Sequence, residues 1–169
     1  MSKANLVKDV NEVVFGKDGI IIRKHIAGLE GGRVLDHAAI SDVIDAYSAE
    51  VIPCGIPVIS KTINSVKVFK ALPPRDKTTT TGEGQSATTT TTYEFTLPTG
   101  FAYEGIAAAT VKASDPCPVM IAGVVNETVL LDSLKELFPS AMETPTALSL
   151  SALKSARPHL IFVSDEKIA

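Results

Sequence analysis

The sequence predicts a mainly β protein, with a small β-barrel or sandwich-like body and two or three short helices. Three observations predict this class. Short runs of β-branched and apolar residues alternate with glycine and proline turns. Helical periodicity is confined to a few short stretches. Neither a strand–helix–strand rhythm nor a repeat of fixed period runs through the 169 residues, which disfavours parallel α/β and repeat folds.

The strands are predicted from short β-rich runs. Residues 13–23 place two apolar runs around a Gly/Asp turn at 16–19, which predicts a hairpin. Residues 51–59 contain two prolines and a glycine among β-branched residues, which favours an edge strand or a bulged corner over a central strand. Further strands are predicted at 66–70, 93–97, 101–106, 119–125 and 160–163.

Helical spacing marks three stretches. After a possible cap at Asp36, apolar residues recur at helical spacing between 40 and 47, which predicts a short helix or a loop with one helical turn. Leucines from 130 keep the same spacing until Pro139, and residues 145–156 are a further candidate.

Residues 73–92 differ from the rest of the chain in composition. They read PPRDKTTTTGEGQSATTTTT and contain no large apolar side chain. Such a stretch is either a mobile loop, because it cannot anchor itself to a core, or a long two-stranded hairpin of β-branched threonines. Both alternatives place it on the surface as a projecting element. The exposed positions are predicted to include Thr80, Gly82, Glu83, Gly84 and Gln85.

These elements fit one β-rich domain at residues 13–163, with the threonine-rich insertion at 73–92. A polar arm at 1–12 is expected before it and a charged tail at 164–169 after it. The first residues carry charges where a signal peptide would be apolar, and no run reaches the roughly 18–20 apolar residues of a membrane helix. A soluble protein made in a cytoplasm is therefore expected.

The composition limits the classes of partner that this protein is expected to bind. The net charge is −3, with 16 basic and 19 acidic residues, and this argues against a nucleic-acid-binding module or a polybasic membrane contact. Charged residues make up only 21% and hydrophobic residues 45%. An apolar, charge-poor chain of this size is expected to cover part of its surface with other subunits.

The sequence contains no phosphate-binding, zinc-ligand or hydrolase motif. Asp42 and Asp45 fit a solvated helix face, and Cys54 and Cys117 fit buried inert thiols. The expectation is a protein that is not an enzyme and holds no cofactor and no metal. Were it an enzyme, the residues to test would be Asp36, His37 and Cys54.

A succession of short steps carries a resemblance to a known group. The steps lie at 14–21, 31–36, 51–59, 97–106, 120–127 and 153–162; they include Pro53-Cys54-Gly55-Ile56-Pro57 and Phe101-Ala102-Tyr103-Glu104-Gly105. Together they resemble the head-fibre and capsid-decoration (auxiliary) proteins of tailed bacteriophages. The threonine-rich segment departs from that pattern and looks like an insertion.

The resemblance implies a structural virion protein, a homotrimer seated on the major capsid protein lattice at the outer capsid surface. An N-terminal arm at 5–15 is expected to add a strand to the lattice. Its candidate contact residues are Leu6, Val7, Val10, Val13, Val14 and Phe15. The alternative is a phage tail or host-surface β module that binds a glycan. Neither hypothesis includes a nucleic acid or a membrane as a partner.

Overall fold

The structure, a computed structural model, describes residues 18–36, 51–81, 88–112, 114–137 and 149–164. The strands are β1 (Ile22–Gly28), β2 (Val51–Ile52), β3 (Pro57–Ile63), β4 (Val66–Ala71), β5 (Arg75–Thr81), β6 (Thr88–Glu94), β7 (Ala102–Ala107), β8 (Val111–Lys112), β9 (Val119–Asn126) and β10 (Leu160–Val163). The described helices are α1 (Glu127–Leu137) and α2 (Ser151–Ala156), and residues 18–21 add one helical turn. The predicted class, mainly β with short helices, is confirmed.

Six strands form one sheet in the order β1-β9-β7-β3-β4, with β10 beside β9. All pairs are antiparallel except β10 with β9. Strands β1 and β4 lie at opposite ends of this order, so the described sheet is open. The barrel form of the prediction is therefore wrong.

Strand β9 pairs with three neighbours. β1 runs along one edge of it, while β7 pairs with residues 119–120 and β10 with residues 123–126. Val119, Met120 and Val125 are at most 1% exposed. The strand predicted at 119–125 is confirmed. Its neighbouring residues Val119 and Met120 point to opposite faces and are both buried, so both faces of the strand are covered there.

Residues 51–59 pass through a corner and then enter the middle of the sheet. β2 ends at Ile52, residues 53–56 form the corner, and β3 pairs with β4 on one side and β7 on the other. A corner at 53–56 is confirmed, whereas an edge position for 57–59 is wrong. Proline is tolerated because Pro57 is the first residue of its strand, where its carbonyl still accepts the N–H of Leu72 at 2.8 Å.

The threonine-rich segment forms the predicted hairpin rather than the mobile loop. β5 and β6 pair from Arg75 opposite Glu94 to Thr81 opposite Thr88 and make a two-stranded sheet of their own. We call this pair of strands the threonine ribbon. Residues 82–87, which include the predicted tip, lie outside the described residues.

The two described helices differ in how well they were predicted. α1 occupies the predicted place and buries Leu130 and Leu134 completely. α2 begins at Ser151 rather than in the region predicted from 145, because Ser149 forms a β-bridge with Glu94. Residues 37–50, which hold the first predicted helix, lie outside the described residues, as do residues 145–148.

Two predicted strands are only partly right, for a common reason. Of the strand predicted at 20–23, residues 22–23 lie in β1, but residues 20–21 belong to the helical turn at 18–21, from which Ile21 is fully buried. β6 ends at Glu94 instead of continuing to 97, and Phe95 leaves the strand to become 3% exposed. In both places tertiary burial of one apolar side chain overrides the local alternation.

The core is aliphatic. Its buried members come from the central strands, the corner and both helices, with Phe95 and Tyr103 as the rings in the described core. The largest fully buried side chains are Ile21, Leu35, Ile52, Ile56, Ile59, Ile106, Met120, Leu130, Leu134 and Leu153. The hydrophobic content of the sequence thus supplies this core from Ile, Leu, Val and Met.

Candidate interaction surface

The two cysteines are placed deep in the core. Cys54 and Cys117 are 1% and 0% exposed, and both are free thiols. Burial raises the pKa of Cys54 far above its usual value, with the nearby Asp18 and Cys117 adding to the effect, and burial raises the pKa of Cys117 to about 12. A thiol reacts as its thiolate. The predicted burial of both thiols is confirmed.

A polar cluster that sequence reasoning missed lies beside Cys54. The Asp18 carboxylate accepts the N–H and the hydroxyl of Thr110, each at 2.7 Å, and the Cys54 N–H donates to the Thr110 hydroxyl at 3.1 Å. Burial raises the pKa of Asp18, although these hydrogen bonds act in the opposite direction. The cluster ties the helical turn at 18–21 to the corner, so its evident role is structural.

Asp36 lies beside the end of β4. Its backbone pairs with Lys70, and its carboxylate contacts the Lys70 ammonium at 2.7 Å. Both side chains are about two-fifths exposed, so the pair is a surface ion pair of the kind that contributes little stability. His37, the proposed partner of Asp36 in a catalytic alternative, lies outside the described residues.

Among the side chains that the structure describes, Glu104 is the least exposed charged group, at 9%, and no sequence motif marked it. The register between β3 and β7 passes from Val58 opposite Gly105 to Ile59 opposite Tyr103, so Glu104 is the extra residue of a β-bulge. Glycine is required at 105, because a Cβ there would lie 2.1 Å from the Met120 carbonyl oxygen. A single charge followed by glycine inside an apolar strand was the signal for this bulge.

The Glu104 carboxylate is held from three sides. Oε1 accepts the Ser60 hydroxyl at 2.6 Å and lies 2.7 Å from the Lys67 Nζ, while Oε2 lies 3.4 Å from an Arg157 nitrogen. Arg157 also donates from Nε to the Tyr103 carbonyl at 2.7 Å. Three strands and the residue after α2 therefore meet at one carboxylate.

Burial and these contacts shift the pKa of Glu104 in opposite directions. Burial alone raises the pKa, but the hydrogen bonds from Lys67 and Ser60 and the charges of Lys67 and Arg157 outweigh burial and lower it. A carboxylate kept ionised and bound on both oxygens is a poor proton carrier at neutral pH. The arrangement suits a structural brace rather than acid–base catalysis.

Cations cover the aromatic rings near this brace. The Arg33 guanidinium lies 5.2 Å and the Lys67 ammonium 5.4 Å from the centre of the Phe69 ring. The Lys61 ammonium lies 5.8 Å from the centre of the Phe101 ring. These distances are those of cation–π contacts. Lys61 and Lys67, one on each strand of the β3–β4 hairpin, therefore each lie over an aromatic ring.

The turn itself presents an apolar tip. Ile63 and Val66 face each other across the hairpin and are 46% and 63% exposed. Asn64 and Ser65 between them both have positive φ, 49° and 65°, which is the two-residue turn that matches strand twist. We call Ile63 to Val66 the hairpin tip. Its two β-branched side chains lie on the face of the hairpin that also carries Lys61.

The threonine ribbon is the second projecting element. At its base, Pro73, Pro74 and Phe95 are buried, and the Tyr103 hydroxyl donates to the Phe95 carbonyl. Beyond that base Thr80 and Thr81 are exposed, as predicted for Thr80. Its described connection to the rest of the molecule by β-pairing is the bridge between Glu94 and Ser149.

The remaining predicted contact residues cannot be assigned to a surface. The arm positions Leu6, Val7, Val10, Val13, Val14 and Phe15 and the tip positions Gly82, Glu83, Gly84 and Gln85 lie outside the described residues. Within the described ranges, no group of three or more His, Cys, Asp and Glu side chains could hold a metal ion. Nor does any described helix have the length and apolarity to cross a membrane.

Comparison with protein-family models, with curated proteins and with solved structures finds no match to this chain.

Proposed function

We propose that this chain is a structural virion protein that binds the outer capsid surface of a tailed phage as an oligomer and stabilises the lattice. The observation that carries the proposal is the hairpin tip, a rigid apolar contact held on a sheet body. The sequence resemblance to head-fibre and decoration proteins supports the same role. A lattice component needs contact surfaces on a rigid scaffold, and this chain supplies them.

The hairpin tip is a suitable contact for a lattice subunit. Ile63 and Val66 are β-branched, so few rotamers are lost when they are buried. Burying such a side chain fully stabilises a contact by about 1.5–3 kcal/mol. Lys61 lies two residues before Ile63 on the same face of β3 and adds positive charge beside the tip, which favours an apolar hollow with acidic residues at its rim. Lys67 lies on the opposite face and is paired with Glu104.

The direct test is binding to heads of the phage that encodes the chain. Purified protein is mixed with heads lacking it, the particles are sedimented, and bound protein is quantified. We expect saturable binding at a fixed number of copies per head, with density at symmetry-related lattice positions by cryo-electron microscopy. Protein that stays in the supernatant and is absent from native particles would refute the proposal.

The tip is tested with a double variant, Ile63→Ser with Val66→Ser. We expect head binding to weaken at least tenfold while the far-ultraviolet spectrum stays unchanged. The matched control is Ile161→Ser, because Ile161 is 51% exposed on β10 and outside the tip. Equal binding by the double variant and the control would mean that another surface meets the lattice.

The exposed threonines of the ribbon favour a second candidate, a tail or host-surface module that binds a glycan. Threonine hydroxyls are hydrogen-bond donors and acceptors on a flat strand surface. One experiment distinguishes the capsid function from the glycan-binding function. Retention on host cells or cell-wall glycan, without binding to heads, would replace the capsid proposal with this one.

A further inference from the structure

Arg33 lies partly buried beside the Phe69 ring, and two backbone carbonyls hold one end of its guanidinium. Its Nη1 donates to the carbonyl of Glu30 at 2.7 Å and to the carbonyl of Gly32 at 2.5 Å. The centre of the guanidinium lies 5.2 Å from the centre of the Phe69 ring. The backbone of Arg33 exchanges two hydrogen bonds with that of Cys117. Both the backbone and one end of the side chain are therefore held in place.

The other end of the same guanidinium is open to solvent. Within the described part of the chain, Nε and Nη2 of Arg33 make no hydrogen bond and no ion pair. Ser133 Oγ is the only described buried side-chain nitrogen or oxygen that lacks a partner, so Nε and Nη2 are not buried. Their N–H groups point the same way and form a fork that matches the two oxygens of a carboxylate. We call these two nitrogens the Arg33 fork.

The charges around this fork are mainly positive. The Lys67 ammonium lies 5.4 Å from the centre of the same aromatic ring, so it is a neighbour of the Arg33 guanidinium. Lys67 and Arg157 share one acidic partner, the Glu104 carboxylate. Together with Arg33, three cations therefore surround one carboxylate. This excess of positive charge attracts a further anion.

The acidic side chains nearest to the fork along the chain do not occupy it. The Asp36 carboxylate contacts the Lys70 ammonium at 2.7 Å. Glu30 and Asp115 are exposed, and neither forms a described ion pair with Arg33. The Arg33 fork therefore has no acidic partner within the described part of the chain.

We infer that the Arg33 fork binds an Asp or Glu carboxylate of a partner protein, with the Lys67 charge beside it. That the partner is a capsid lattice subunit rests on the proposed function. A protein carboxylate is favoured over a nucleic-acid phosphate, because the chain carries a net charge of −3. Arg33 is already held by its two carbonyls, so binding costs little side-chain entropy. Partly buried arginines beside aromatic rings are common among the residues that dominate binding energy.

The first test uses a peptide and needs no heads. The natural chain is titrated with tetraglutamate capped at both ends, and the Nε–H signal of Arg33 is followed by nuclear magnetic resonance. The signal is assigned by its loss in the Arg33→Lys variant. We expect a saturable shift of this signal and of the Phe69 ring signals at millimolar peptide. Capped tetraglutamine is the control and should move neither. An Arg33 signal that stays fixed with tetraglutamate, or that moves further with inorganic phosphate, would overturn the inference.

The second test measures head binding by two variants of Arg33. Arg33→Gln removes both the charge and the fork, and we expect binding to weaken about tenfold. Arg33→Lys keeps the charge but loses the fork, and we expect a loss of about threefold. Added salt should weaken binding of the natural chain more than binding of Arg33→Gln. The control is Lys135→Gln, which removes an exposed charge on α1 and should bind as the natural chain does. Thermal unfolding of each variant shows that the fold is kept.

The two tests separate this inference from the proposed function. Head binding by Arg33→Gln at the strength of the natural chain would overturn the inference and leave the capsid proposal standing. If the natural chain bound no heads, the capsid proposal and the lattice as the source of the carboxylate would both be refuted. The peptide titration would still decide whether the Arg33 fork binds a carboxylate.

Discussion

The β3–β4 hairpin and the threonine ribbon are stabilised by different interactions. In the β3–β4 hairpin, the first strand is central in the sheet and its residues Val58 and Ile59 are at most 1% exposed. Among the described residues, the threonine ribbon forms β-pairs only within itself, apart from the bridge between Glu94 and Ser149. One hairpin is therefore stabilised by tertiary packing, whereas the β-pairing described for the other is almost entirely its own.

This difference determines what each hairpin can present to a binding partner. A hairpin fixed by the core can present a few side chains with little loss of entropy on binding. A ribbon with exposed threonines at its far end can instead offer hydroxyl groups to a partner. Three substitutions test this comparison, in decreasing order of expected effect.

The largest effect is expected for Ile59→Ala in β3. Removing a fully buried isoleucine side chain leaves a cavity, and we expect a loss of about 2–5 kcal/mol in the free energy of unfolding. Urea denaturation followed by circular dichroism measures it. The control is Thr81→Ala at the exposed end of β5, for which we expect a change within about 0.5 kcal/mol. A cost above about 1 kcal/mol there would show that the ribbon belongs to the same cooperative unit as the sheet.

An intermediate effect is expected for Glu104→Gln in the brace. Lys67 is half exposed and stays solvated after the substitution, so we expect a loss of about 1–2 kcal/mol at pH 7. The control is Asp36→Asn, which removes an exposed ion pair and should cost less than about 1 kcal/mol. Equal costs for the two substitutions would remove the distinction between the brace and the surface pair.

The stability difference between the Glu104→Gln variant and the natural chain should depend on pH. The folded pKa of Glu104 lies below its ordinary value of 4.5, so its stabilisation is complete above that value. It is lost as the pH falls through the lowered folded pKa. Denaturation midpoints measured from pH 7 to pH 3 should therefore differ between natural and Gln chains at neutral pH and converge in acid. A difference that grows in acid would contradict the assigned direction of the shift.

The smallest effect is expected for Ser65→Gly in the hairpin tip. Ser65 has a φ of 65°, which costs an L-residue energy that glycine does not pay, so we expect a gain of about 0.5–1 kcal/mol. Asn64→Gly is the control, because asparagine tolerates this conformation and less is gained. Thermal unfolding measures both. A loss of stability at Ser65 would mean that its side chain, rather than the turn geometry, stabilises the tip.

The sequence by itself predicted the features that depend on local pattern and composition. The apolar run of β9, the alternation of β4 and the leucine spacing of α1 each need only neighbouring residues, and all three are confirmed. The buried cysteines were predicted because they lie in apolar stretches. For the threonine segment, composition narrowed the possibilities to a loop or a hairpin and went no further.

Only the tertiary structure decided features that join residues far apart in the chain. Glu104 could not be assigned as a brace from sequence, because Ser60, Lys67 and Arg157 come from three other places in the fold. The central position of β3, the helical turn at 18–21 and the departure of Phe95 from β6 follow from core burial, which local propensity does not contain. The physical reason is the same throughout: alternation and spacing report what one segment can form, while pairing order and burial depend on which segments meet.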